Sequence, residues 1–408
     1  MLFINEDYYT KAEVAQVFQR YEQIRFLQDA GQWRVAVCLT DTFEWLTLFL
    51  YIREKGGSVV PIHAASPKEA ALRTAKASKS NVLFYGTLEN PIVLHEEKQQ
   101  EGTLVQLTSG TTGEPRCIFR TWASIEEELE SYNKALAMNA GIPPIVACPI
   151  THSYGLLCGV MASIKRGAEP VIVTHPNPKY VLKLLRKYPA HLFYAAPALL
   201  YGLIQLNEEE KPFDLVMTSG TILPGIWLDQ LLQKSGRVLQ QYGCSEAGCI
   251  SIHPAVQKPD EMGTPLSHIS IKAGTEEKPD EIIVYKKDQI IHTKDVGYIT
   301  AKGNLHFLAR LDDTINVAGL NVYPHEVENV LLEMPGVKEA VVYKRTDLFS
   351  GERVCAKYVS DAGVAEQDIR NWCRSRLAPH QIPIEIIAAS SIPALSNGKI
   401  NRKQLSTL

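Results

Sequence analysis

The sequence predicts an α/β fold, with a large N-terminal domain of βαβ subdomains, a small barrel-like β region and a small α+β C-terminal domain. Short apolar runs alternate with amphipathic segments between residues 34 and 241, a pattern typical of βαβ units and parallel sheet. Residues 281–293 (EIIVYKKDQIIHT) alternate around a Lys-Asp-Gln turn, which indicates an antiparallel hairpin. After Arg310 the pattern changes again, which indicates a second domain.

The N-terminal pattern begins with a buried strand at residues 34–39 and a helix at 42–53. The pair Gly56-Gly57 ends this helix, and residues 58–62 form the next strand. Further runs of strand length follow at residues 145–149, 170–173, 191–195, 214–218 and 237–241, with an amphipathic stretch at 180–187.

The C-terminal pattern consists of a helix at residues 324–333, strands near 337–343 and 353–360, and a helix near 366–376. We therefore expect an N-terminal domain at residues 1–310, a hinge at 311–313 and a C-terminal domain at 314–408.

Composition and charge exclude several classes of protein. The chain has 42 basic and 45 acidic residues and a net charge of −3, which disfavours nucleic acid and membrane surfaces as partners. The longest apolar run, residues 45–52, is too short to span a bilayer. We see no secretory leader. Eight cysteines occur without a CxxC pair, so we expect reduced thiols, no metal site built from them, and a cytoplasmic protein.

The sharpest local motif is a loop at residues 107–116, with the sequence LTSGTTGEPR. Its hydroxyls and backbone N–H groups suit phosphate oxygens, and Arg116 adds positive charge. An ordinary solvent-exposed loop has a similar composition. The spacing differs from the Walker A motif, because Pro115 and Arg116 stand where that motif has Gly and Lys.

Several further motifs follow in a fixed order, and together they resemble the adenylate-forming superfamily of acyl-CoA synthetases, peptide-synthetase adenylation domains and luciferases. These motifs are QYGCSE at residues 241–246, TKDVG at 293–297, RLDDTI at 310–315, PHEVE at 324–328 and PALSNGKINR at 393–402. Residues 9–14 and 56–62 fit the opening motifs of that superfamily. The resemblance covers the whole chain, and it implies an acid–AMP ligase with a mobile C-terminal lid.

The resemblance implies that the chain binds ATP and Mg²⁺. The residues that would hold the phosphates are Thr108, Ser109, Gly110, Thr111, Thr112 and Gly113. The other residues of the nucleotide site would be Gly220, Tyr242, Gly243, Ser245, Asp295 and Arg310. In this set Asp295 would accept hydrogen bonds from the ribose, Arg310 would assist it, and Tyr242 would stack on adenine.

The resemblance also assigns two catalytic roles. Glu246 would ligate Mg²⁺, a hard cation that suits carboxylate oxygen. Lys399 would reach from the lid and bridge the substrate carboxylate and the α-phosphate. Taken singly, either side chain is more typical of solvated surface, so the assignment depends on the ordered set.

The acid pocket would include Tyr194, Ser219 and Gly220, together with His152-Ser153-Tyr154. The last three residues resemble aryl-acid-activating relatives, which implies a hydroxylated benzoate such as the dihydroxybenzoate used in siderophore biosynthesis. Ser153 would bind a ring hydroxyl; alternatively it caps a helix that begins at Tyr154. Because Ser153 replaces the Asp of amino-acid-activating members, an amino acid is disfavoured. A fatty acid is not excluded.

The second half-reaction would transfer the acyl group to a phosphopantetheine thiol. The lid would rotate about Asp312 and open a path past Gly319 to a carrier protein supplied in trans, or alternatively to free CoA. Two departures from the family pattern concern the charges: Arg116 and Asn316 stand where lysines are usual.

Two other classes remain as alternatives. Residues 243–248 (GCSEAG) nearly match the G-x-S-x-G elbow of hydrolases, but Ala247 stands at the position of the second glycine. A non-catalytic nucleotide-binding protein would not need to keep Glu246, Asp295 and Lys399.

Overall fold

The computed structural model describes residues 1–98, 101–109, 115–207, 211–287, 289–347, 351–360, 364–392, 400 and 402–406. For residues 108, 109, 115, 347 and 403 the description covers the backbone only. The predicted site residues Gly110, Thr111, Thr112, Gly113 and Lys399 lie outside the described residues.

A six-stranded sheet forms the first half of the large domain. The elements up to residue 136 are β1 (Leu2–Ile4), β2 (Asp7–Tyr9), α1 (Lys11–Tyr21), β3 (Arg34–Leu39), α2 (Thr42–Glu54), β4 (Ser58–Pro61), α3 (Lys68–Ala77), β5 (Val82–Gly86), β6 (Ile92–Val93), β7 (Thr103–Ser109), β8 (Pro115–Thr121) and α4 (Trp122–Leu136). The strand order is β6-β5-β3-β4-β7-β8. Strands β5, β3, β4 and β7 are parallel, whereas β8 returns antiparallel to β7.

A second sheet follows with the same βαβ rhythm. Its elements are β9 (Pro144–Val146), a π-helix (Tyr154–Met161), α5 (Ala162–Lys165), β10 (Val171–Ile172), α6 (Pro178–Lys187), β11 (Leu192–Ala195), α7 (Pro197–Leu206), β12 (Phe213–Thr218), α8 (Gly225–Lys234), β13 (Ser235–Cys244) and β14 (Gly248–His253). Strands β1, β10, β9, β11, β12 and β13 are parallel neighbours in that order. The predicted parallel sheet is confirmed.

Antiparallel strands extend this sheet beyond β14. They are β15 (Glu261–Pro265), β16 (Ser270–Lys272), β17 (Asp280–Lys286), β18 (Gln289–Ile299) and β19 (Leu305–Arg310). The order β14-β15-β19-β18-β17-β16 makes β17 and β18 the hairpin that the sequence predicts at residues 281–293. This region carries its own apolar core, which includes Tyr242 and Ile282.

The C-terminal residues form a separate small sheet with a core of its own. Its elements are β20 (Ile315–Val317), β21 (Leu320–Val322), α9 (Pro324–Leu332), β22 (Val337–Asp347), β23 (Gly351–Ser360), α10 (Glu366–Arg374), β24 (Glu385–Ala388) and α11 (Arg402–Ser406). The order is β21-β20-β23-β22, and β24 pairs in parallel with β23. The expected α+β character is confirmed, while the boundary and hinge at residues 311–313 stay a prediction.

The described helices include none that is long and apolar enough to cross a membrane.

Candidate active site

Asp295 is a buried carboxylate whose two oxygens are both held by neighbouring side chains. Tyr242 donates its hydroxyl to Asp295 Oδ2 at 2.5 Å, and Arg310 Nη1 donates to Oδ1 at 2.8 Å. Asp295 lies directly opposite Arg310 in the β18–β19 ladder, whereas Tyr242 comes from β13. Three strands therefore bring together residues that the sequence places in one nucleotide site.

Two side chains that bind Asp295, Tyr242 and Arg310, both have raised pKa values. Burial raises the pKa of the Tyr242 phenol, and the adjacent Asp295 carboxylate raises it further, so Tyr242 keeps the proton that it donates. Burial alone would lower the pKa of Arg310, but the Asp295 carboxylate outweighs burial and raises it. Arg310 is half-exposed, so this ionic pair borders solvent and can be reached by a ligand.

The structure adds to the expectation for Tyr242. Its ring lies among apolar side chains with 8% of its surface exposed, 5.8 Å from the ring centroid of Phe307. The hydroxyl is committed to Asp295. Stacking of Tyr242 on adenine stays a prediction, and orientation of Asp295 is the role that its contacts support.

Glu246 lies in the tight turn between β13 and β14, and it is half-buried. Ser245 is half-buried in the same turn, and Gly243 sits at a β-bulge just before it. The described residues contain no cluster of three or more side chains that could hold a metal. A single carboxylate nevertheless fits Mg²⁺, which usually keeps waters and substrate phosphates as its other ligands.

The strands on either side of the phosphate loop are in place. Thr108 and Ser109 end β7, and Arg116 pairs with Thr108 across the ladder at the start of β8. Strand β7, which precedes the loop, is parallel to β4. The loop follows the carboxyl end of β7. Ligands of α/β sheets bind at that edge.

Two residues predicted for the acid pocket, Tyr154 and Tyr194, lie in a group of neutral polar side chains. Tyr132 donates its hydroxyl to Gln241 Oε1 at 2.9 Å, and its oxygen lies 3.2 Å from the Tyr194 hydroxyl, within hydrogen-bond distance. The Tyr154 ring lies 5.9 Å from the Tyr194 ring, and its hydroxyl donates to Met217 O at 2.5 Å. Tyr194 is fully buried, so we expect it to support the wall formed by Tyr154 rather than to contact the acid.

Ser153 bonds across to the first sheet instead of capping a helix. It has helical backbone angles (φ −50°, ψ −41°), and its hydroxyl donates to Gln106 Oε1 at 2.7 Å. An N-cap residue has extended angles and binds the backbone of its own helix, so the capping alternative is wrong. Gln106 lies two residues before Thr108 on β7. Neighbouring His152 is exposed.

Ser219 and Gly220 directly follow β12, at the carboxyl end of that strand. Ser219 is half-buried and donates to the backbone carbonyl of Gln241 at 3.1 Å, while Gly220 is exposed. Both residues thus lie beside the strand that carries Tyr242.

The predicted hinge residues take up definite contacts. The backbone N–H groups of Asp313 and Thr314 donate to Arg310 O at 3.0 and 2.9 Å, which closes one turn around the half-buried Asp312. Gly319 has φ +88° in the turn between β20 and β21, and its N–H donates to Asn316 Oδ1 at 3.0 Å. Asn316 therefore shapes this turn. A role of Gly319 in a pantetheine path stays a prediction.

Sequence reasoning missed Gln106, Tyr132 and Gln241. The residue Gln241 directly precedes the Tyr-Gly motif, and Gln106 precedes the hydroxyl-rich loop. This proximity to motifs was the only signal for either residue. Nothing in the local pattern marks Tyr132 on α4.

Comparisons with known proteins agree with this geometry. The AMP-binding enzyme family matches residues 90–282, and the AMP-binding enzyme C-terminal domain matches residues 326–399. A 3,4-dihydroxybenzoate–[aryl-carrier protein] ligase from Bacillus anthracis is 40% identical over 408 residues, which are 99% of this chain and 98% of the relative. This chain belongs to the AMP-binding enzyme family. The resemblance to adenylate-forming enzymes is confirmed, and the chain is an acid–thiol ligase of that family.

Two further proteins resemble this chain at lower identity, one in sequence and one in fold. A long-chain-fatty-acid–CoA ligase from Bacillus subtilis is 28% identical, over 76% of this chain and 62% of the relative. The structure of o-succinylbenzoate CoA synthetase from Bacillus subtilis, in complex with ATP and magnesium ion, superposes with a TM-score of 0.85 at 23% identity, over 99% of this chain and 96% of the other. The latter similarity confirms the predicted fold class.

Proposed function

We propose that this family member adenylates a hydroxylated benzoate, with 3,4-dihydroxybenzoate the first candidate, and passes the aroyl group from AMP to the phosphopantetheine thiol of a carrier protein, forming a thioester and releasing AMP. The observation that carries this proposal is the 40% identity, over nearly the whole of both chains, to a ligase named for that acid and acceptor. The alternative, an acyl-CoA synthetase, has its support in relatives of 28% identity or less.

The nucleotide half of the proposal assigns the ribose to Asp295. Each carboxylate oxygen carries two lone pairs, so Asp295 can accept ribose hydroxyls while Tyr242 and Arg310 hold it in place. Arg116 on β8 adds a positive charge next to the loop of residues 108–113. This arrangement fits a reaction that must bring two anions together, because its main requirements are alignment and charge neutralisation.

Magnesium belongs to this half of the reaction. When bound, the ion would shield the ATP phosphates from the approaching carboxylate. Glu246 is the residue of this chain proposed to hold it, on the short turn between β13 and β14. Lys399 is the residue proposed to bridge the two substrates during adenylation.

The acid half of the proposal depends on the Ser153–Gln106 pair. With Gln106 Oε1 taken by Ser153, Gln106 Nε2 keeps two N–H donors and Ser153 Oγ keeps acceptor lone pairs. A group that accepts from one and donates to the other satisfies both, and a phenolic hydroxyl does so. The network of Tyr132, Tyr154 and Gln241 is neutral, which suits an uncharged ring better than an ammonium group.

The acceptor and the compartment follow from the same proposal. The thiol of a carrier protein would reach the adenylate after the lid turns about Asp312. All eight cysteines are free thiols, and six of them are buried. Such thiols suit a reducing compartment, so we place the enzyme in the cytoplasm.

A loading assay tests the whole proposal. The enzyme is incubated with ATP, Mg²⁺, 3,4-dihydroxybenzoate, a phosphopantetheinylated aryl carrier protein and free CoA, and both acceptors are analysed by mass spectrometry. We expect the carrier protein to gain the mass of the aroyl group. If aroyl-CoA is the main product, CoA and not a carrier protein is the acceptor. If neither acceptor is loaded with this acid, the assignment of 3,4-dihydroxybenzoate is wrong.

A further inference from the structure

A buried ion pair joins the strand that follows the phosphate loop to the strand that follows Glu246. Arg120 lies on β8 and Glu128 on α4, with 3% and 1% of their surfaces exposed. Arg120 Nη2 donates to Glu128 Oε2, and the backbone N–H of Cys249 donates to Glu128 Oε1 at 2.9 Å. One carboxylate thus binds a side chain from the first sheet and the backbone of β14 in the second.

The turn that carries Glu246 packs directly on this pair. Gly248 begins β14 with φ +82°, and a Cβ at this position would overlap the carboxylate of Glu128 and lie 2.7 Å from Arg120 Nη2. Glycine is therefore required both by the backbone angle and by the closeness of the pair. Only two residues separate Glu246 from Cys249, whose N–H binds Glu128. Glu246 therefore has little freedom to move relative to the ion pair.

The other end of the pair belongs to β8, the strand that follows the phosphate loop. Arg120 pairs with Leu104 and Arg116 with Thr108 in the same β7–β8 ladder, so Arg120 is four residues from the loop end on a hydrogen-bonded strand. Trp122, at the start of α4, donates its indole N–H to Gly57 O at 2.8 Å, which further fixes β8 and α4 to the first sheet.

The ion pair lies in a buried region that contains further basic side chains. The Nε and Nη1 of Arg120 have no hydrogen-bond partner among the described residues. Lys286 and His268 also lie near this carboxylate, and burial together with the nearby Arg120 lowers the pKa of Lys286 to about 8. Glu128 thus accepts hydrogen bonds from Arg120 and from the backbone of Cys249 in a buried region that contains further basic side chains.

We propose that Arg120 and Glu128 are positioning residues that hold the start of β8, the strand that follows the phosphate loop, at a fixed separation from Glu246, the residue proposed to hold Mg²⁺. The inference rests on the proposed function, since it takes the roles of the loop and of Glu246 from there. Residues that orient a metal ligand from behind change metal affinity even though they do not touch the ion.

The test measures how much Mg²⁺ strengthens ATP binding. Dissociation constants for ATP are measured by calorimetry with Mg²⁺ and with EDTA, without any acid, and their ratio is compared between variants. In Glu128→Gln we expect the Mg²⁺-dependent gain to fall by about tenfold to a hundredfold, with binding in EDTA changed much less. The matched control is Glu126→Gln, on the same helix, whose partners Arg53 and Lys165 lie at the surface; it should keep the original ratio.

Failure of the inference and failure of the proposed function are distinguishable. A folded Glu128→Gln variant with an unchanged ratio would overturn the positioning role, whatever acid the enzyme uses. Inactivity of the unmodified enzyme towards every acid would overturn the function but leave the ratio measurable. If Glu128→Gln does not fold, Glu128→Asp keeps the charge but shortens the reach; a reduced ratio supports the proposal, and an unchanged ratio contradicts it.

Discussion

The hydroxyl of Ser153 donates to Gln106 Oε1 over 2.7 Å, and this bond joins the segment before the π-helix to the strand that enters the phosphate loop. It brings Ser153, the residue proposed to bind the acid, to the strand that enters the phosphate loop. It also commits Gln106 Oε1, so that we expect the Gln106 amide N–H groups to act as donors to a ligand.

Replacement of Gln106 should therefore change the choice of acid. In Gln106→Leu we expect kcat/KM for 3,4-dihydroxybenzoate to fall by about tenfold to a hundredfold, because the ring hydroxyl loses its hydrogen-bond donor in the site. Benzoate itself should be affected much less. The measurement is exchange of pyrophosphate into ATP with benzoate, 3-hydroxybenzoate, 4-hydroxybenzoate and 3,4-dihydroxybenzoate.

A double-mutant cycle separates this effect from general damage. Ser153→Ala and Gln106→Leu should be strongly non-additive for the hydroxylated acid, since each removes the same bond. Equal losses for benzoate and for the hydroxylated acids would show that the pair has no part in selecting the ring hydroxyl.

Removal of the Tyr242 hydroxyl should weaken ATP binding selectively. Hydrogen bonds to charged groups contribute about 1.5–3 kcal/mol, and Tyr242 donates such a bond to Asp295. We expect Tyr242→Phe to raise KM for ATP about tenfold, at the low end of that range, with KM for the acid nearly unchanged. Tyr298→Phe, on the same strand as Asp295, is the control. A matching rise in both KM values would argue against a role confined to the nucleotide.

Loss of the Lys399 charge should affect catalysis more than binding. The resemblance predicts that Lys399 contacts the substrates only when the lid is closed. Lys399→Ala should therefore reduce the adenylation rate by orders of magnitude, as expected for loss of a transition-state contact. Calorimetric ATP affinity should stay close to that of the unmodified enzyme, and an equal loss of affinity and rate would contradict this role.

The pH dependence of stability should reveal the buried Lys286. Burial lowers its pKa to about 8, from 10.5 for the exposed side chain. Between these values the unfolded chain binds more protons, so this group makes the free energy of unfolding rise with pH, by at most about 1.4 kcal/mol per pH unit. Relative to the unmodified enzyme, Lys286→Met should be most stabilised at pH 7 and lose that advantage by pH 10. Denaturant unfolding at several pH values measures the difference, and a constant difference would contradict the assignment.

Local patterns were sufficient for most of the fold. The apolar run at residues 34–39 and the alternation at 281–293 became β3 and the β17–β18 hairpin, because buried strands and hairpins are encoded by neighbouring residues. Asp295 and Arg310 could be proposed as site residues because their motifs are contiguous, although their direct pairing needed the β18–β19 register.

Contacts between distant segments were not accessible in the same way. Ser153 and Gln106 are 47 residues apart, the first directly before the π-helix and the second on β7 of the first sheet. The period of a sequence shows which face of an element is buried, but it does not show which element covers that face. For this reason the sequence left Ser153 open between a helix cap and a pocket residue, and it gave no sign of the Arg120–Glu128 pair.

Acid-dependent exchange of pyrophosphate into ATP shows which class of acid the enzyme activates, because it reports adenylation alone and needs no acceptor. The panel contains hydroxylated benzoates, short and long fatty acids, and amino acids, each with Mg²⁺. We expect exchange with 3,4-dihydroxybenzoate to be well above exchange with every fatty acid and amino acid. Exchange driven best by a fatty acid or an amino acid would contradict the aryl-acid assignment.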